Sequence, residues 1–227
     1  MNNVIIITGA NKGLGKALVD LSLKDNNSIV ISLSRSLHDD HQNISLNKLI
    51  FIKTDLSEPF SVSIFKNIDN HIKPETKIYF FSNAGIILPI NKIGAFSTNE
   101  IDNSLKVNIN YPINLINFLL KKYNHNKTIL INISSGAGDN PIPHWSLYCS
   151  AKAYMKMFFR VLEQENPNDN LKLFSIDPGV MDTDMQESIR DSEAPKQDYF
   201  KSLKEDNKLI QPNVAALKIF EKISYNK

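Results

Sequence analysis

Hydrophobic positions fall along the chain in two rhythms. Short unbroken runs, rich in β-branched residues, occupy positions 4–8, 28–34, 49–54, 77–81, 128–134 and 171–176. Continuous apolar runs of this length predict parallel strands buried on both faces. Between them the spacing stretches to three or four residues, the helical period. Leu14, Leu18 and Leu21 define one such face, and a second helix is predicted around 62–68. A long helix is predicted over 99–122, with Leu105, Ile109, Ile113, Ile116 and Leu120 as its apolar stripe. Another runs to about residue 166, with Ala151, Met155, Phe158 and Leu162 packed, and a last one covers 212–224. Strands alternating with helices predict a doubly wound parallel sheet with helices on both faces. After Thr183 the pattern loosens. Residues 186–197 are polar and include Pro195, so 183–211 is expected to be a mobile lid over a site.

Composition narrows the class without changing that picture. The chain has 227 residues, 42% hydrophobic and 22% charged, as expected of one α/β domain spanning 1–227. A net charge of +2 argues against a nucleic-acid or anionic-membrane partner. Cys149 is the single cysteine, so no internal disulfide forms and a reducing compartment is expected. No apolar run approaches membrane-span length, and a strand starting at residue 4 leaves no room for a signal peptide. The expectation is a cytoplasmic protein.

The first strand runs into Gly9-Ala-Asn-Lys-Gly13-Leu-Gly15 and then a helix. A strand, a glycine turn and a helix N-terminus make a phosphate-binding unit of Rossmann type: glycines admit a pyrophosphate, and free N–H groups with a positive dipole end receive it. Asn11, Lys12 and Leu14 lie within that loop. The ribose-selecting position of such folds comes about 20 residues later, after the second strand. Here it holds Arg35, with no acid before Asp39. A cation there, joined by Lys12, favours the 2′-phosphate of NADP over the bare hydroxyl of NAD. Asp55, with Leu56 beside it, is placed to meet the adenine edge; Asp55 or Ser57 could equally cap the helix around 62–68. Small residues in Ser82-Asn83-Ala84-Gly85 let a cofactor lie against the sheet edge, and Pro178, Gly179, Met181 and Thr183 can line a nicotinamide.

The chemistry-bearing stretch is residues 132–152. Tyr148 and Lys152, four apart, share a helix face, and Ser135 ends the preceding strand. A phenol is a reluctant acid at neutral pH, and a nearby ammonium is expected to lower its pKa, which makes Tyr148 a general acid/base. Ser135 can hydrogen-bond a carbonyl or alcohol oxygen. Asn108 and Asn110 sit mid-helix where Asn is a poor helix former, just before Pro112, which would strain the helix. Either compositional bias or a water held by an Asn explains them. His144 reads as a loop residue and Cys149 as a small packing residue.

Taken together, Thr8-Gly-Ala-Asn-Lys-Gly-Leu-Gly15, Asn83-Ala-Gly85, Ile133-Ser-Ser135, Tyr148-x-x-x-Lys152 and Pro178-Gly179 resemble the short-chain dehydrogenase/reductase family over residues 2–223. The runs 133–138, 145–152 and 178–186 resemble its benzil reductase and sepiapterin reductase-like branch. The resemblance implies Tyr148 as proton donor, Lys152 as its modulator and a ribose ligand, Ser135 as carbonyl orienter, and Asn108, in preference to Asn110, as the relay residue. Tyr148 and Lys152 thus also count as cofactor ligands. It implies NADP(H) as cofactor, a small carbonyl substrate, and a homodimer or homotetramer. Two departures stand out: Ser82 replaces the family's usual Asn, and the chain ends just after its last helix, short of the seventh strand and C-terminal acid of animal sepiapterin reductases. Asp182 or Asp184 would have to substitute for that acid. An apolar wall of Trp145, Ile87, Leu88 and Met181 suits an aromatic or vicinal diketone, with Ser135, Trp145, Tyr148 and Met181 as substrate contacts. The alternatives are a pterin reductase, a 3-oxoacyl thioester reductase and a non-catalytic NADP(H)-sensing regulator.

Overall fold

Six strands form one parallel sheet in the computed structural model, which describes residues 2–66, 68–166 and 170–225. They are β1 (Asn3–Thr8), β2 (Ser28–Ser34), β3 (Leu49–Lys53), β4 (Lys77–Ser82), β5 (Thr128–Ile133) and β6 (Leu171–Ile176). Their spatial order is β3-β2-β1-β4-β5-β6. Each apolar run thus became a strand, within a residue of its expected end. The order reverses between β1 and β4, so the crevice beyond their carboxyl ends is the place where such sheets bind ligands.

The period of two along the strands feeds two cores. Ile5 and Ile7 of β1 join one cluster with α1 (Gly13–Ser22) and α7 (Pro212–Lys222). Val4 and Ile6 point the other way, into a cluster with α3 (Tyr111–Lys122) and α4 (Ser146–Glu165). Continuous hydrophobicity was needed because both faces are covered.

Two helical expectations are corrected. Among the described residues of this stretch there is no α-helix: a short 3-10 turn, Val62–Phe65, is followed by a second at Asp69–His71, and Phe65 and Ile68 are still buried. Ser61 caps the first, its Oγ accepting the Ser63 N–H, so neither Asp55 nor Ser57 is the cap. Asp55 instead accepts from the Ser57 N–H and hydroxyl at 2.9 and 2.7 Å, closing its own turn.

The long helix is interrupted. Ser97 and Glu100 form a reciprocal capping box that starts α2 (Thr98–Leu105). A π-helical turn, Lys106–Asn110, joins it to α3. Pro112 lies at the head of α3 and has no N–H to give, so the wider turn forms just before it. The turn rotates the buried face: Ser104, Val107, Asn108, Tyr111, Leu115, Ile116 and Leu119 are buried, whereas Leu105 of the expected stripe is exposed.

The loosely patterned stretch after Thr183 folds into α5 (Asp184–Arg190) and α6 (Gln197–Glu205). The Thr183 hydroxyl accepts the Gln186 N–H to cap α5. Residues 180–182 pair with Ile210 through Asp182 N–H to Ile210 O and Ile210 N–H to Val180 O. Among the described residues no helix is long and apolar enough to cross a membrane.

Candidate active site

One cavity of about 650 Å³ opens at the carboxyl ends of the strands. That volume suits a cofactor or drug-sized ligand. Its walls carry Gly9, Asn11, Lys12, Gly13, Leu14, Gly15, Arg35, Asp55 and Leu56 at one end. Asn83, Ala84, Gly85, Ser135, Tyr148 and Lys152 form the middle, and Trp145, Pro178, Gly179, Met181 and Thr183 complete it. Asn108 lies behind this wall. Leu88 does not belong to it: its side chain is 52% exposed, while neighbouring Ile87 is buried and lines the cavity.

The glycine end is built from main chain. Gly9 adopts φ +64°, and a Cβ there would lie 3.0 Å from the Ala84 Cα. Gly15 is tighter: a Cβ would fall 2.0 Å from the Gly9 carbonyl oxygen. Asn83 fastens β4 to β1, its Nδ2 donating to Thr8 O at 2.8 Å and Gly9 O at 3.3 Å. No side chain caps the N-terminus of α1 and no acid sits in its first turn, so its amides remain available for an anion. The chemistry of this donor set fits a dinucleotide pyrophosphate.

Lys12 does not stand free. Its Nζ contacts Asp184 Oδ2 at 2.7 Å, an exposed ion pair tying the glycine loop to α5. Arg35 lies near enough to Asp55 to help hold that carboxyl low, although the Ser57 hydrogen bonds contribute more. Asn11 Nδ2 donates to Ser36 Oγ at 3.1 Å, bracing the loop that carries Arg35. The same loop is pinned by buried His41, whose Nε2 lies 2.7 Å from Asp20 of α1, a contact that no local pattern announced.

The middle of the cavity brings the serine, tyrosine and lysine together. The Ala137 N–H donates to Ser135 Oγ at 3.2 Å, and Ser135 and the Tyr148 phenol line the same wall of the cavity. Lys152 Nζ lies 5.5 Å from the Tyr148 ring centre and donates to Ile133 O at 2.8 Å. Burial pushes the phenol up to about 12, opposed by the nearby Ser135 hydroxyl and assisted by the Asp177 charge. Burial pulls the Lys152 ammonium down to about 8, opposed by Asp177. The net shift of the phenol is therefore upward, where the ammonium was expected to bring it down, because burial is the largest influence on it.

Asn108 clasps Ile86. Its Oδ1 accepts the Ile86 N–H and its Nδ2 donates to Ile86 O, both at 2.9 Å. The side chain is thereby used up. Its main-chain carbonyl is different: the α-helical donor four residues on would be Pro112, which has no N–H. Gly85 separates the two sides, with a notional Cβ 3.3 Å from Asn108 Oδ1 and 3.8 Å from Lys152 Nζ. Asn110 is exposed and bonds Asn114 through its carbonyl.

The far end is an aromatic wall. Trp145 stacks on Phe200 with ring centres 5.4 Å apart and planes 13° apart, and meets Tyr148 edge-on at 6.0 Å. His144 takes a left-handed φ of 70° just before Trp145, and its carbonyl accepts the Asn91 N–H; it does not line the cavity. Met185, Gln186, Ile189, Tyr199 and Phe200 complete this end, and none was legible beforehand. Met185 with Ile189, and Phe200 with Leu203, are apolar pairs at helical spacing, but each helix is too short for the period to stand out. Asp182 is paired with Lys204 at 2.6 Å, so both acids considered as pterin anchors, Asp182 and Asp184, already hold a lysine.

A six-stranded sheet of this order with a glycine loop and a Ser-Tyr-Lys cluster defines a dinucleotide-binding oxidoreductase. The sequence matches the short chain dehydrogenase family over residues 3–194, and the chain belongs to that family. It is an oxidoreductase acting on C=O and CH–OH groups, and a nicotinamide cofactor goes with the family. It is 34% identical to a benzil reductase ((S)-benzoin forming) of Bacillus subtilis, over 97% of this chain and 94% of the relative. It is 27% identical to a sepiapterin reductase of Xenopus laevis, over 80% and 74%. A crystal structure of a short chain dehydrogenase/reductase from Saccharomyces cerevisiae superposes with a TM-score of 0.83 at 26% identity, covering 94% of this chain and 87% of that one. The resemblance read from the motifs to this branch of the family holds.

Proposed function

We propose that the protein is an NADPH-dependent carbonyl reductase that delivers hydride to one ketone of an aromatic or vicinal dicarbonyl compound of benzil type. The observation that carries the reading is the convergence of Ser135, Tyr148 and Lys152 in the wall of the cavity that also holds the glycine loop. The cofactor, when bound, supplies the hydride. Gly9, Gly13, Gly15 and the α1 amides would hold its pyrophosphate, with Asn11 and Leu14 flanking. Arg35, with Lys12, would take the 2′-phosphate; Asp55 and Leu56 the adenine; Asn83, Ala84 and Gly85 the adjoining ribose. Pro178, Gly179, Met181 and Thr183 would line the nicotinamide, and Tyr148 and Lys152 its ribose.

Tyr148 gives the proton to the carbonyl oxygen. A phenol raised to about 12 is fully protonated at neutral pH, as a donor must be. Ser135 orients the same oxygen. Lys152, with a water held by the main-chain carbonyl of Asn108, would return the proton from solvent. Residues 183–211, as α5 and α6, act as the lid over the substrate end of a single domain, and Trp145 with Met181 receives the substrate's apolar flanks. The benzil reductase relative favours this substrate class. A pterin substrate is the second reading, favoured by the sepiapterin reductase relative but weakened by the lysines on Asp182 and Asp184. Oxidation of NADPH with benzil, then with sepiapterin, and then with NADH replacing NADPH, tests all parts. Benzil-dependent turnover with little NADH activity is expected. Turnover of sepiapterin alone would replace the diketone reading, and equal use of NADH would remove the role of Arg35.

A further inference from the structure

We propose that His41, Asp20 and Lys16 are positioning residues for the cofactor's 2′-phosphate: they fasten the 35–41 loop to α1 and so hold Arg35 at the cavity wall. The inference rests on the reading of Arg35 as the phosphate's ligand and deepens it. Arg35 lines the cavity and none of the three does, so they act through the loop.

Arg35 follows β2 directly and stands in a bend that is held on both sides. The Ser34 hydroxyl donates to Ser36 O at 2.8 Å, and Asn11 of the glycine loop donates to Ser36 Oγ at 3.1 Å. Leu37 then packs, partly buried, against the core cluster that contains α1. Beyond it the 3-10 turn Asp39–His41 meets α1 itself. His41 Nε2 lies 2.7 Å from Asp20 Oδ1. Lys16 Nζ lies 2.8 Å from Asp20 Oδ2 and 2.9 Å from Asp40 Oδ2, so one ammonium bridges helix and turn.

The residue type at 41 carries the argument. The ring is 3% exposed, yet its Nδ1 has no hydrogen-bond partner. An unpaired buried nitrogen costs stability, and leucine would fill the space without one. What the histidine adds is the bond to Asp20. A carboxylate only accepts, so the Nε2 hydrogen points at α1. Lys16 and Asp20 are four apart on α1, a spacing that gives only a weak pair on an open helix face. Here both are partly buried, and the pair is shared with the turn. One helix thus serves two anion sites. Its first-turn amides are open to the pyrophosphate, and its side chains at 16 and 20 set the loop that offers Arg35. A rigid helix fixes the separation of the two sites, which an unbraced loop would leave variable.

The test isolates the 2′-phosphate by titrating 2′,5′-ADP and 5′-AMP. The proteins are wild type, His41→Leu, His41→Gln, Lys16→Met and Arg35→Ala, with His41→Leu and Lys16→Met each also combined with Arg35→Ala. Glutamine keeps an N–H for Asp20, and leucine keeps none. Lys16→Met, nearer the helix surface, carries the test should His41→Leu not fold. The wild-type preference for 2′,5′-ADP is expected to fall about fivefold in His41→Leu and about threefold in Lys16→Met, the range of one net hydrogen bond. Affinity for 5′-AMP should hold, and His41→Gln should stay close to wild type. Once Arg35 is gone, neither variant should lower the preference further, as expected of residues that act through one group. An unchanged preference in both variants, equal loss on both nucleotides, or the same loss with and without Arg35 overturns the brace while the role of Arg35 stands. A preference that survives Arg35→Ala overturns that role and the brace with it.

Discussion

At the glycine end of the cavity a ligand meets main chain; at the Trp145 end it meets side chains. The glycine end uses the carbonyls and amides of Thr8, Gly9 and the first turn of α1, tied by Asn83 to β4. Its constraint is close approach, with Gly15 leaving no room for even a methyl group. The Trp145 end uses aromatic and amide side chains from α4, α5 and α6, outside the sheet. The difference shows where the protein can change. Substitution at the glycine end disturbs the sheet crevice itself, whereas the far end can be recut while the sheet stands.

The sharpest way to break that contrast is Gly15→Ala. Its Cβ would press on backbone, so we expect a stability loss at or above about 3 kcal/mol, the top of the overpacking range. Dinucleotide binding should disappear with it; a thermal melt and a dinucleotide titration check both. Tyr148→Phe sits at the seam between the ends. Turnover should drop about a thousandfold, with dinucleotide affinity within a few-fold of wild type, as stopped-flow and fluorescence titration would show.

Phe200→Ala probes the far end alone. Removing a buried ring stacked on Trp145 should cost about 3 kcal/mol of stability. It should raise KM for a benzil-type ketone and leave dinucleotide affinity nearly unchanged; a matching loss of cofactor affinity would show that the ends are coupled. Arg35→Ala asks the converse. The preference for NADPH over NADH should shrink about tenfold, one charge-assisted hydrogen bond, with ketone KM unaffected. Lys12→Ala should do less, since Asp184 already occupies its ammonium.

The smallest effect is in pH. Lys152 has its pKa lowered to about 8, so its ammonium is present below that value and lost above it. If the ammonium serves the proton return, kcat/KM for reduction falls as pH rises through about 8. Tyr148, at about 12, stays protonated across the same window and contributes no limb there. Lys152→Arg should carry the limb upward out of the measured range.

The glycine end was legible in the chain because its motifs are contiguous. Residues 8–15 and 83–85 each act within a few peptide units, and the strand that precedes each is a plain apolar run. The pairing of Tyr148 with Lys152 was equally local, set by helix spacing. The long helix was less so. Its apolar stripe held at Ile113, Ile116 and Leu120 but failed at Leu105, because the turn Lys106–Asn110 rotates the face by an extra residue. Pro112 signalled trouble there, but only the folded chain shows a π turn in place of a kink. The shift at Tyr148 was also misjudged, since burial is not visible in a list of neighbours.

Periodicity and motif spacing therefore specify the strands, the glycine loop and the Tyr148–Lys152 pair from the chain alone, because each depends on residues within one or two turns of one another. The π turn, the clasp of Asn108 on Ile86 and the ion pair of Lys12 with Asp184 arise only when distant segments meet. So does the wall of Trp145 on Phe200, with Gln186 turned by Arg190. Those contacts are chosen by packing across the sheet's end, where burial and partner geometry rule and local spacing has no say.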